Sequence, residues 1–340
     1  MHESATWSNG VMNADNLRVL VSDYFLNRAA AFDLNPDKLV VEYVLNWGGF
    51  VNFSYRIRDA RHAYQLKLSA SAEDQAALRL WMALSPLLEP YHAPPILEWI
   101  ELDSIAGPLF PCLPGNAPKF SGQVVAELVP VLRKLNADNE LAAALQPSRA
   151  VTAQAAYLAS FHERFTEDLR GIRDSRPPFV SEDLLRWLED EVEVLSELVN
   201  SSAAFGEPLT KPIHGDLWLN NILWVSTNDW YLVDWDCMRI GDPAADLATL
   251  LGPTVQDPRP LKMLERADDV LTSAERERLS YLGRATLLDW VIDPLSDWID
   301  AGAAPEYEHA VRAEKERIHK RALACYEDLY RRSSDRSRSS

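Results

Sequence analysis

The 340-residue chain lacks the features that mark membrane, secreted or disulfide-stabilised proteins. It has no run of 18 or more apolar residues, so the sequence predicts no membrane span. Residues 1–7 show no basic region leading into an apolar run, which predicts no secretory signal. The three cysteines, Cys112, Cys237 and Cys325, are odd in number and widely spaced. This is typical of free thiols in a reducing cytoplasm and not of a disulfide framework or a metal site.

Basic residues are also scarce, with 34 Lys and Arg against 51 Asp and Glu, which gives a net charge of −17. This sign argues against nucleic acid as a partner, because a phosphate backbone requires a basic surface. The simpler explanation of the excess of acidic residues is solubility, but an acidic surface also permits binding of a cationic substrate. The excess is larger in residues 116–340, with 26 basic and 38 acidic side chains, than in residues 1–115, with 8 and 13. A cationic ligand is therefore expected in the second part of the chain.

The chain is longer than usually folds around one compact hydrophobic core, so we expect two lobes. In the first, apolar alternation over Val40–Leu45, Val51–Arg58 and Ala63–Leu68 predicts three strands of an antiparallel meander. The other elements predicted in this part are helices over 13–32 and 71–84 and strands over 94–102 and 108–113. Residues 1–114 are thus expected to form a small β-rich lobe with a leading helix.

The segment Pro114–Pro118 breaks the pattern and is the best candidate for a linker. Beyond it the sequence predicts helices over 122–136, 152–170, 181–200, 275–300 and 305–331. The exception is a hairpin formed by Asn221–Val225 and Trp230–Val233. The Arg/Ser-rich residues 331–340 are expected to be a disordered tail. The chain is therefore predicted to be an α+β protein with a mainly helical lobe over residues 115–330.

The most specific motif has H-x-D-x-x-x-x-N spacing. Residues 214–221 read His-Gly-Asp-Leu-Trp-Leu-Asn-Asn, and Asp234 follows Asn221 by thirteen residues. Phosphoryl transfer needs one carboxylate to orient and deprotonate a hydroxyl, and an amide oxygen and a second carboxylate to hold Mg²⁺. Asp216, Asn221 and Asp234 supply these groups in order. A salt bridge or turn carboxylate is the alternative for Asp234, but the complete set at this spacing favours a kinase catalytic loop.

Five residues near this motif have less specific signals. His214 is expected to be a buried histidine that supports the loop. Asp236 fits either a second metal ligand or an acceptor of loop amides, and the sequence leaves both open. Asp242 and Asp246 precede or begin a helix, where capping and the helix dipole favour carboxylates, so both are expected to be architectural. Most of the tryptophans should be core residues, but Trp218 could form a wall of the acceptor site that suits a cation.

In the first lobe, Lys67 is a lone lysine in the middle of a predicted strand. Such a lysine is commonly solvated. With a catalytic loop in the same chain, we expect Lys67 instead to bind the α- and β-phosphates of a nucleotide. Glu73, in the first turn of the next helix, is the expected ion-pair partner, with Asp74 as the alternative.

The turn between the first two strands contains Gly48, Gly49 and Asn52. Two adjacent glycines are a weak signal alone. Their place in the meander favours a loop that covers the nucleotide phosphates.

Together these segments resemble the aminoglycoside phosphotransferase and choline kinase-like family of small-molecule kinases. The resemblance spans roughly residues 40–255, and its most specific parts are 214–221 and 232–248. It implies a protein-kinase-like bilobal fold with ATP between the lobes. The roles it implies are the base for Asp216, Mg²⁺ ligation for Asn221 and Asp234, and phosphate binding for Lys67.

The resemblance further implies that backbone around Phe110, Cys112 and Leu113 contacts adenine. Two positions depart from many members, with Trp218 in place of a histidine and Asn220 in place of a glycine. Neither position is the base or a metal ligand, so activity is still expected. The acceptor site can differ in shape, and antibiotic phosphorylation therefore does not follow. The family includes kinases of choline, homoserine, methylthioribose, fructosamines and macrolides.

The sequence thus predicts a cytoplasmic, ATP- and Mg²⁺-dependent phosphotransferase acting on a hydroxyl of a small molecule, such as an aminoglycoside or an amino-alcohol. The alternative is a catalytically silent nucleotide-binding regulator, against which the complete set of motif residues counts. A protein kinase is less favoured, because there is no Ala-Pro-Glu element and the chain runs from Asp234 directly to Gly241-Asp242-Pro243.

Overall fold

The computed structural model describes residues 14–45, 52–146, 149–251, 271–303 and 308–331. By its internal contacts the chain divides into two compact units, Met1–Pro114 and Gly115–Ser340. The predicted glycine turn, with Gly48 and Gly49, and residues 332–340 of the predicted tail lie outside the described residues.

The first unit contains an antiparallel sheet with the strand order β1-β2-β3-β5-β4. Its strands are β1 Val40–Val44, β2 Phe53–Arg58, β3 Ala63–Leu68, β4 Glu98–Leu102 and β5 Ile105–Pro111. The predicted meander is confirmed. Strand β4 begins at Glu98, later than predicted, because the preceding Pro94 and Pro95 have no N–H for a strand ladder.

Two helices, α1 Ala14–Asn27 and α2 Ala72–Leu88, accompany this sheet. The predicted helix over 13–32 is shorter, and the chain continues in a separate 3₁₀ turn. The apolar face of α1 supplies Leu17, Val21 and Phe25, all fully buried, to the core of this unit. Alternate residues of the strands complete that core, including Tyr55, Ile57, Leu66 and Leu68. The apolar face of the helix, which recurs every 3.6 residues, therefore packs with the apolar face of the strands, which recurs every two residues, on one side of the sheet.

Strand β5 passes very close to the end of β3 at Gly107. A Cβ atom at this position would lie 1.8 Å from the carbonyl oxygen of Lys67 and 2.9 Å from its carbonyl carbon. Only glycine allows this approach, because the obstacle is backbone and cannot move aside as a side chain could.

The second unit is mainly helical. Its helices are α3 Gly122–Asn136, α4 Asn139–Ala144, α5 Ala153–Tyr157, α6 Arg164–Asp174, α7 Glu182–Ser201, α8 Pro243–Leu251, α9 Ser273–Asp300 and α10 Glu308–Tyr326. The single helix predicted over 152–170 is interrupted, since a π-helical segment, Leu158–Glu163, joins α5 to α6. Helix α4 was not predicted, because six residues are too few to show a periodic pattern.

Two small antiparallel ladders lie between α7 and α8 in sequence. Strand β6, Lys211–Ile213, pairs with β9, Arg239–Gly241, and strand β7, Ile222–Ser226, pairs with β8, Asp229–Leu232. The β7–β8 hairpin confirms the prediction for this segment. The two ladders frame the segments that carry the H-x-D-x-x-x-x-N motif and Asp234.

The 28-residue helix α9 is central to the second unit and packs against α6, α8 and α10. It begins with a capping box in which Thr272 and Glu275 satisfy each other's backbone N–H groups. Among the described helices, none is both long and apolar enough to cross a bilayer.

We predict that Gly107→Ala lowers the free energy of unfolding by about 3 kcal/mol, because the new methyl group overlaps the backbone of Lys67. Urea unfolding followed by circular dichroism measures the change. Gly171→Ala is the matched control, since a Cβ there meets nothing within 4 Å and the position is in α6. The control should gain about 0.5–1 kcal/mol from the better helix former. Equal stability of the two variants would contradict the steric argument.

Candidate active site

The motif loop begins directly after β6 and is held by one buried carboxylate. The backbone N–H groups of His214 and Gly215 donate to Oδ2 and Oδ1 of Asp246, each at 2.8 Å. Asp246 lies in the first turn of α8 and is 3% exposed. Desolvation raises the pKa of Asp246 to about 6, against the opposing effect of the two N–H donors. This carboxylate fixes the backbone from which Asp216 projects.

The His214 ring is fully buried and connects the two halves of the motif. Its Nε2 lies 2.9 Å from the carbonyl oxygen of Val233, and its Nδ1 lies 3.3 Å from the backbone N of Asp216. These partners require the tautomer that donates from Nε2 and accepts at Nδ1. The ring also packs against Trp235, with centroids 4.7 Å apart. His214 therefore links the loop at Asp216 to the segment that precedes Asp234.

Gly215 has a backbone conformation that the loop requires. Its φ of +86° lies in the left-handed region, and a Cβ would stand 2.2 Å from the carbonyl oxygen of Cys237. Both the torsion angle and the close backbone approach exclude other residues.

Asp216 and Asn221 lie side by side. The Asn221 Nδ2 donates to Oδ2 of Asp216 and to its backbone oxygen, both at 2.8 Å. Asn221 is 4% exposed, whereas Asp216 is half-buried. Because the amide nitrogen is occupied by Asp216, the amide oxygen is the atom of Asn221 suited to a cation.

Asp234 follows the strand that pairs with the Asn221 segment. The backbone N–H of Val233 donates to the backbone carbonyl oxygen of Asn221 at 2.9 Å, so the next residue, Asp234, lies beside Asn221. Asp234 has φ 64° and ψ 57°, a left-handed conformation that is uncommon outside glycine. Strain of this kind persists only where the surroundings enforce it, and it is concentrated at functional sites.

Asp236 is half-buried in the 3₁₀ turn Trp235–Cys237 that follows Asp234. No three His, Cys, Asp or Glu side chains cluster as a metal site within the described ranges. The oxygen donors of Asn221 and Asp234 nevertheless fit Mg²⁺, which commonly takes one or two carboxylates and completes its shell with phosphates and water. The donor set is thus suited to a metal that arrives with a nucleotide.

Asp242 has a larger structural role than a helix cap. Its Oδ1 accepts from the Ala244 N–H at 3.0 Å, as a capping carboxylate does. Its Oδ2 also accepts from Nε of Arg278 at 2.6 Å, in an ion pair with both side chains below 10% exposed. Arg278 lies on α9 and also donates to the Ala204 oxygen. Sequence reasoning missed Arg278, because no local spacing connects residues 36 positions apart.

Trp218 is half-buried, and its indole ring lies 6.0 Å from that of Trp290 on α9. Its backbone N–H donates to the backbone carbonyl oxygen of Asp216 at 3.2 Å, which connects it to the loop. Trp235, by contrast, is fully buried and donates its Nε1–H to Leu232. The two motif tryptophans therefore have different surroundings.

In the first unit, Lys67 is half-buried on β3, opposite Ser54 of β2. Glu73 is exposed, whereas Asp74 faces the end of β3, where its Oδ2 accepts from the buried Ser69 hydroxyl at 3.2 Å. The alternative partner named above is therefore the carboxylate that turns toward the sheet. The pairing of Lys67 itself stays a prediction.

The remaining residues proposed for nucleotide contact are also in this unit. The Asn52 Oδ1 is buried and has no hydrogen-bond partner among the described residues, a costly state for an acceptor. Phe110 is buried against Trp81, with centroids 4.9 Å apart. Cys112 and Leu113 are half-buried, and the Cys112 N–H is donated to Ala63. Any backbone recognition of adenine here would use other groups of this segment.

A β-sheet unit with a lone strand lysine, followed by a helical unit with this catalytic-loop geometry, defines a phosphotransferase of the protein-kinase-like fold. The family model for the phosphotransferase enzyme family matches residues 42–282. The chain belongs to this family. The predicted family, fold class and enzyme class are thereby confirmed.

Solved structures agree on the fold. A choline kinase from Cryptosporidium parvum Iowa II has a TM-score of 0.56 at 14% identity, covering 92% of this chain and 97% of that one. A Plasmodium vivax ethanolamine kinase has a TM-score of 0.56 at 16% identity, covering 94% and 91%. A spectinomycin phosphotransferase, solved with ADP and spectinomycin, has a TM-score of 0.57 at 13% identity, covering 84% and 92%. No curated protein matched in a sequence search.

We predict a pH-dependent difference between the wild type and Asp246→Asn. The pKa of Asp246 is about 6 in the folded protein and 3.8 ordinarily, so between these values the folded state binds more protons than the unfolded chain. The contribution of Asp246 to the free energy of unfolding therefore falls as pH rises, by at most about 3 kcal/mol at 1.36 kcal/mol per pH unit. The asparagine variant lacks this titration.

Urea unfolding from pH 3.5 to 7 tests this prediction. The stability of the wild type relative to Asp246→Asn should decline between about pH 4 and 6 and then level off. Asp229→Asn, which changes an exposed carboxylate, is the control. Parallel curves for Asp246→Asn would show that Asp246 does not titrate in this window.

Proposed function

We propose that this protein is an ATP- and Mg²⁺-dependent kinase of a small-molecule hydroxyl group. The observation that carries the proposal is the double hydrogen bond from the Asn221 amide to Asp216. This interaction connects the candidate base, Asp216, directly to the candidate metal ligand, Asn221. A fixed base beside a cation-binding oxygen is the arrangement that phosphoryl transfer requires.

In the proposed reaction, Asp216 accepts the proton of the acceptor hydroxyl. Its Oδ2 accepts a hydrogen bond from the Asn221 amide, which holds the carboxylate in place. The hydroxyl oxygen forms a bond to the γ-phosphorus, the bond from that phosphorus to the β,γ-bridging oxygen breaks, and ADP departs. The base contributes chiefly by positioning, because the transition state for phosphoryl transfer is loose.

Asn221 and Asp234 would hold Mg²⁺, which neutralises charge on the phosphates when bound. Lys67 would contact the α- and β-phosphates. The buried Asn52 Oδ1, which has no hydrogen-bond partner in the described part of the chain, would accept from a nucleotide donor group, such as a ribose hydroxyl. Backbone in the Phe110–Leu113 segment would contact adenine.

The acceptor is proposed to be a cationic or polyhydroxylated alcohol. Residues 116–340, which contain Asp216, carry the larger acidic excess, and a negative surface attracts and orients a cation. Two of the similar structures are named as choline and ethanolamine kinases, and both of these alcohols bear a cationic nitrogen. The three free cysteines support a reducing, cytoplasmic location.

Asp216→Ala should reduce turnover by about 10²–10⁴-fold, because it removes a positioned base. ATP consumption is measured across choline, amino-alcohols, homoserine, sugars and aminoglycosides. Asp229→Asn, at the exposed start of β8, is the control and should retain full turnover. Undiminished turnover in Asp216→Ala would refute the assignment of the base. If the wild type binds ATP yet turns over no acceptor, the silent regulator becomes the better description.

Asp234→Asn should remove most of the additional thermal stabilisation that Mg²⁺ gives to the ATP complex, because one ligand charge is lost. Melting temperatures with ATP and EDTA, and with ATP and Mg²⁺, provide the measurement. Asp236→Asn is the informative comparison. If Asp236 is a second metal ligand, Asp236→Asn should lose the Mg²⁺ increment in the same way. If Asp236 instead accepts hydrogen bonds from loop amides, Asp236→Asn should lower every melting temperature equally. An unchanged increment in Asp234→Asn would exclude it as a ligand.

A further inference from the structure

Ser69 is a fully buried residue whose polar atoms are all hydrogen-bonded, and it lies two positions beyond Lys67. Its backbone N–H donates to the carbonyl oxygen of Ala106 at 3.0 Å, and its own carbonyl oxygen accepts the Ala106 N–H at 3.1 Å. Its hydroxyl donates to Oδ2 of Asp74 at 3.2 Å and accepts the Ser71 N–H at 3.3 Å. This conformation is strongly favoured, because any other would leave buried polar atoms unpaired.

The first turn of α2 is bonded to the end of β3 through two side chains. One is the Asp74 carboxylate, which receives the Ser69 hydroxyl. The other is Gln75, whose Nε2 donates to the carbonyl oxygen of Ser69 at 2.9 Å and to that of Ser104 at 3.1 Å. Ser104 lies in the turn between β4 and β5. We call Ser69, Asp74 and Gln75 the Ser69 junction, because together they connect α2, β3 and the β4–β5 turn.

The junction lies on the side of β3 from which Lys67 projects. Leu66 and Leu68 are buried in the core shared with α1, so the alternation of a strand directs Lys67 and Ser69 to the opposite face. The backbone of Lys67 is also constrained, because β5 approaches its carbonyl group at Gly107. The direction in which the lysine leaves the sheet therefore depends on contacts made at both residues.

We propose that Asp74 and Ser69 are positioning residues for Lys67, the residue assigned above to the nucleotide phosphates. Asp74 acts as the hydrogen-bond acceptor of Ser69 and not as the counter-ion of Lys67. The proposal rests on the nucleotide-binding role proposed for Lys67. A long side chain loses rotamer freedom when it binds a phosphate, and a fixed backbone lowers that cost because the side chain starts from the required direction.

A neutral side chain can replace Asp74 in this role. The amide oxygen of asparagine accepts a hydroxyl hydrogen as a carboxylate oxygen does, but it carries no charge. Asp74→Asn should therefore keep the junction, whereas Asp74→Ala should lose it. A counter-ion of Lys67 depends on its charge, so in that role the two substitutions would be equally damaging. The comparison of asparagine with alanine thus separates the two roles.

The test measures binding of two ligands by calorimetry, well below the melting temperature of each variant. ADP with Mg²⁺ carries the α- and β-phosphates, and adenosine has the same base and ribose without a phosphate. The variants are Asp74→Ala, Asp74→Asn and Ser69→Ala. Asp74→Ala is also combined with Lys67→Ala in a double-mutant cycle, because such a cycle shows whether one residue acts through the other.

Asp59→Ala is the matched control. Asp59 lies in the turn that precedes β3, at the other end of the strand from Ser69. Its carboxylate accepts the backbone N–H groups of Asn35, Arg61 and His62, at 2.7 to 2.8 Å. The substitution therefore also removes a carboxylate acceptor from the same strand, but not from the end that carries Lys67. It should lower the melting temperature and leave ADP binding unchanged.

Asp74→Ala and Ser69→Ala should each weaken ADP binding about fivefold, the effect of one net hydrogen bond. Adenosine binding should not change, because Lys67 contacts only the phosphates. Asp74→Asn should restore most of the affinity for ADP. In the Lys67→Ala background, Asp74→Ala should have no further effect, since the residue through which it acts is absent. If Asp74→Ala does not fold, Ser69→Ala provides the same comparison.

Three results would overturn the positioning role: an equal loss of ADP binding in Asp74→Asn and Asp74→Ala, an equal loss for adenosine, or additive losses with Lys67→Ala. Unchanged ADP binding in Asp74→Ala and Ser69→Ala, with a loss in Lys67→Ala, would overturn the junction alone. Unchanged binding in Lys67→Ala would refute the nucleotide role of the lysine, and the positioning role with it. If the coupling holds but no alcohol is turned over, the junction stands and the proposed kinase function fails.

Discussion

The second unit depends on the buried carboxylate of Asp246. It accepts the N–H groups of His214 and Gly215, which would otherwise be unpaired in the interior. Burying a carboxylate is costly, and the two charge-assisted hydrogen bonds offset part of that cost. The arrangement fixes the backbone on both sides of the peptide that leads into Asp216. Side-chain positions in the site depend on this anchor.

The anchor is itself connected to the long helix of the same unit. Helix α8, which carries Asp246, begins at Pro243, and the preceding residue, Asp242, forms the buried ion pair with Arg278 of α9. Removing one member of such a pair leaves an uncompensated charge and typically costs about 3–5 kcal/mol. The motif loop and α9 therefore share one rigid connection, and α9 is also the helix that carries Trp290.

Some of the unusual backbone of the second unit lies near this connection. Gly215 and Asp234 both have left-handed torsion angles, and the π-helical segment before Arg164 lies in the helices that pack on α9. Such conformations are maintained by the surrounding contacts at a cost in stability, and they orient groups that regular structure would point elsewhere. For Asp234, the neighbouring hydrogen bond from Val233 to Asn221 supplies part of that constraint.

Local pattern determined the strands, most helices and the motif residues, because strand alternation, helical periodicity and the spacing of Asp216 and Asn221 are short-range properties of the chain. Tertiary structure alone decided the partners: Arg278 for Asp242, Trp290 for Trp218, and the backbone N–H groups for Asp246. These pairs are separated by 31 to 72 residues, and contacts over such separations depend on how helices pack rather than on any local period. The sequence therefore determined the class of chemistry, whereas the packing of α9 decided what surrounds the base.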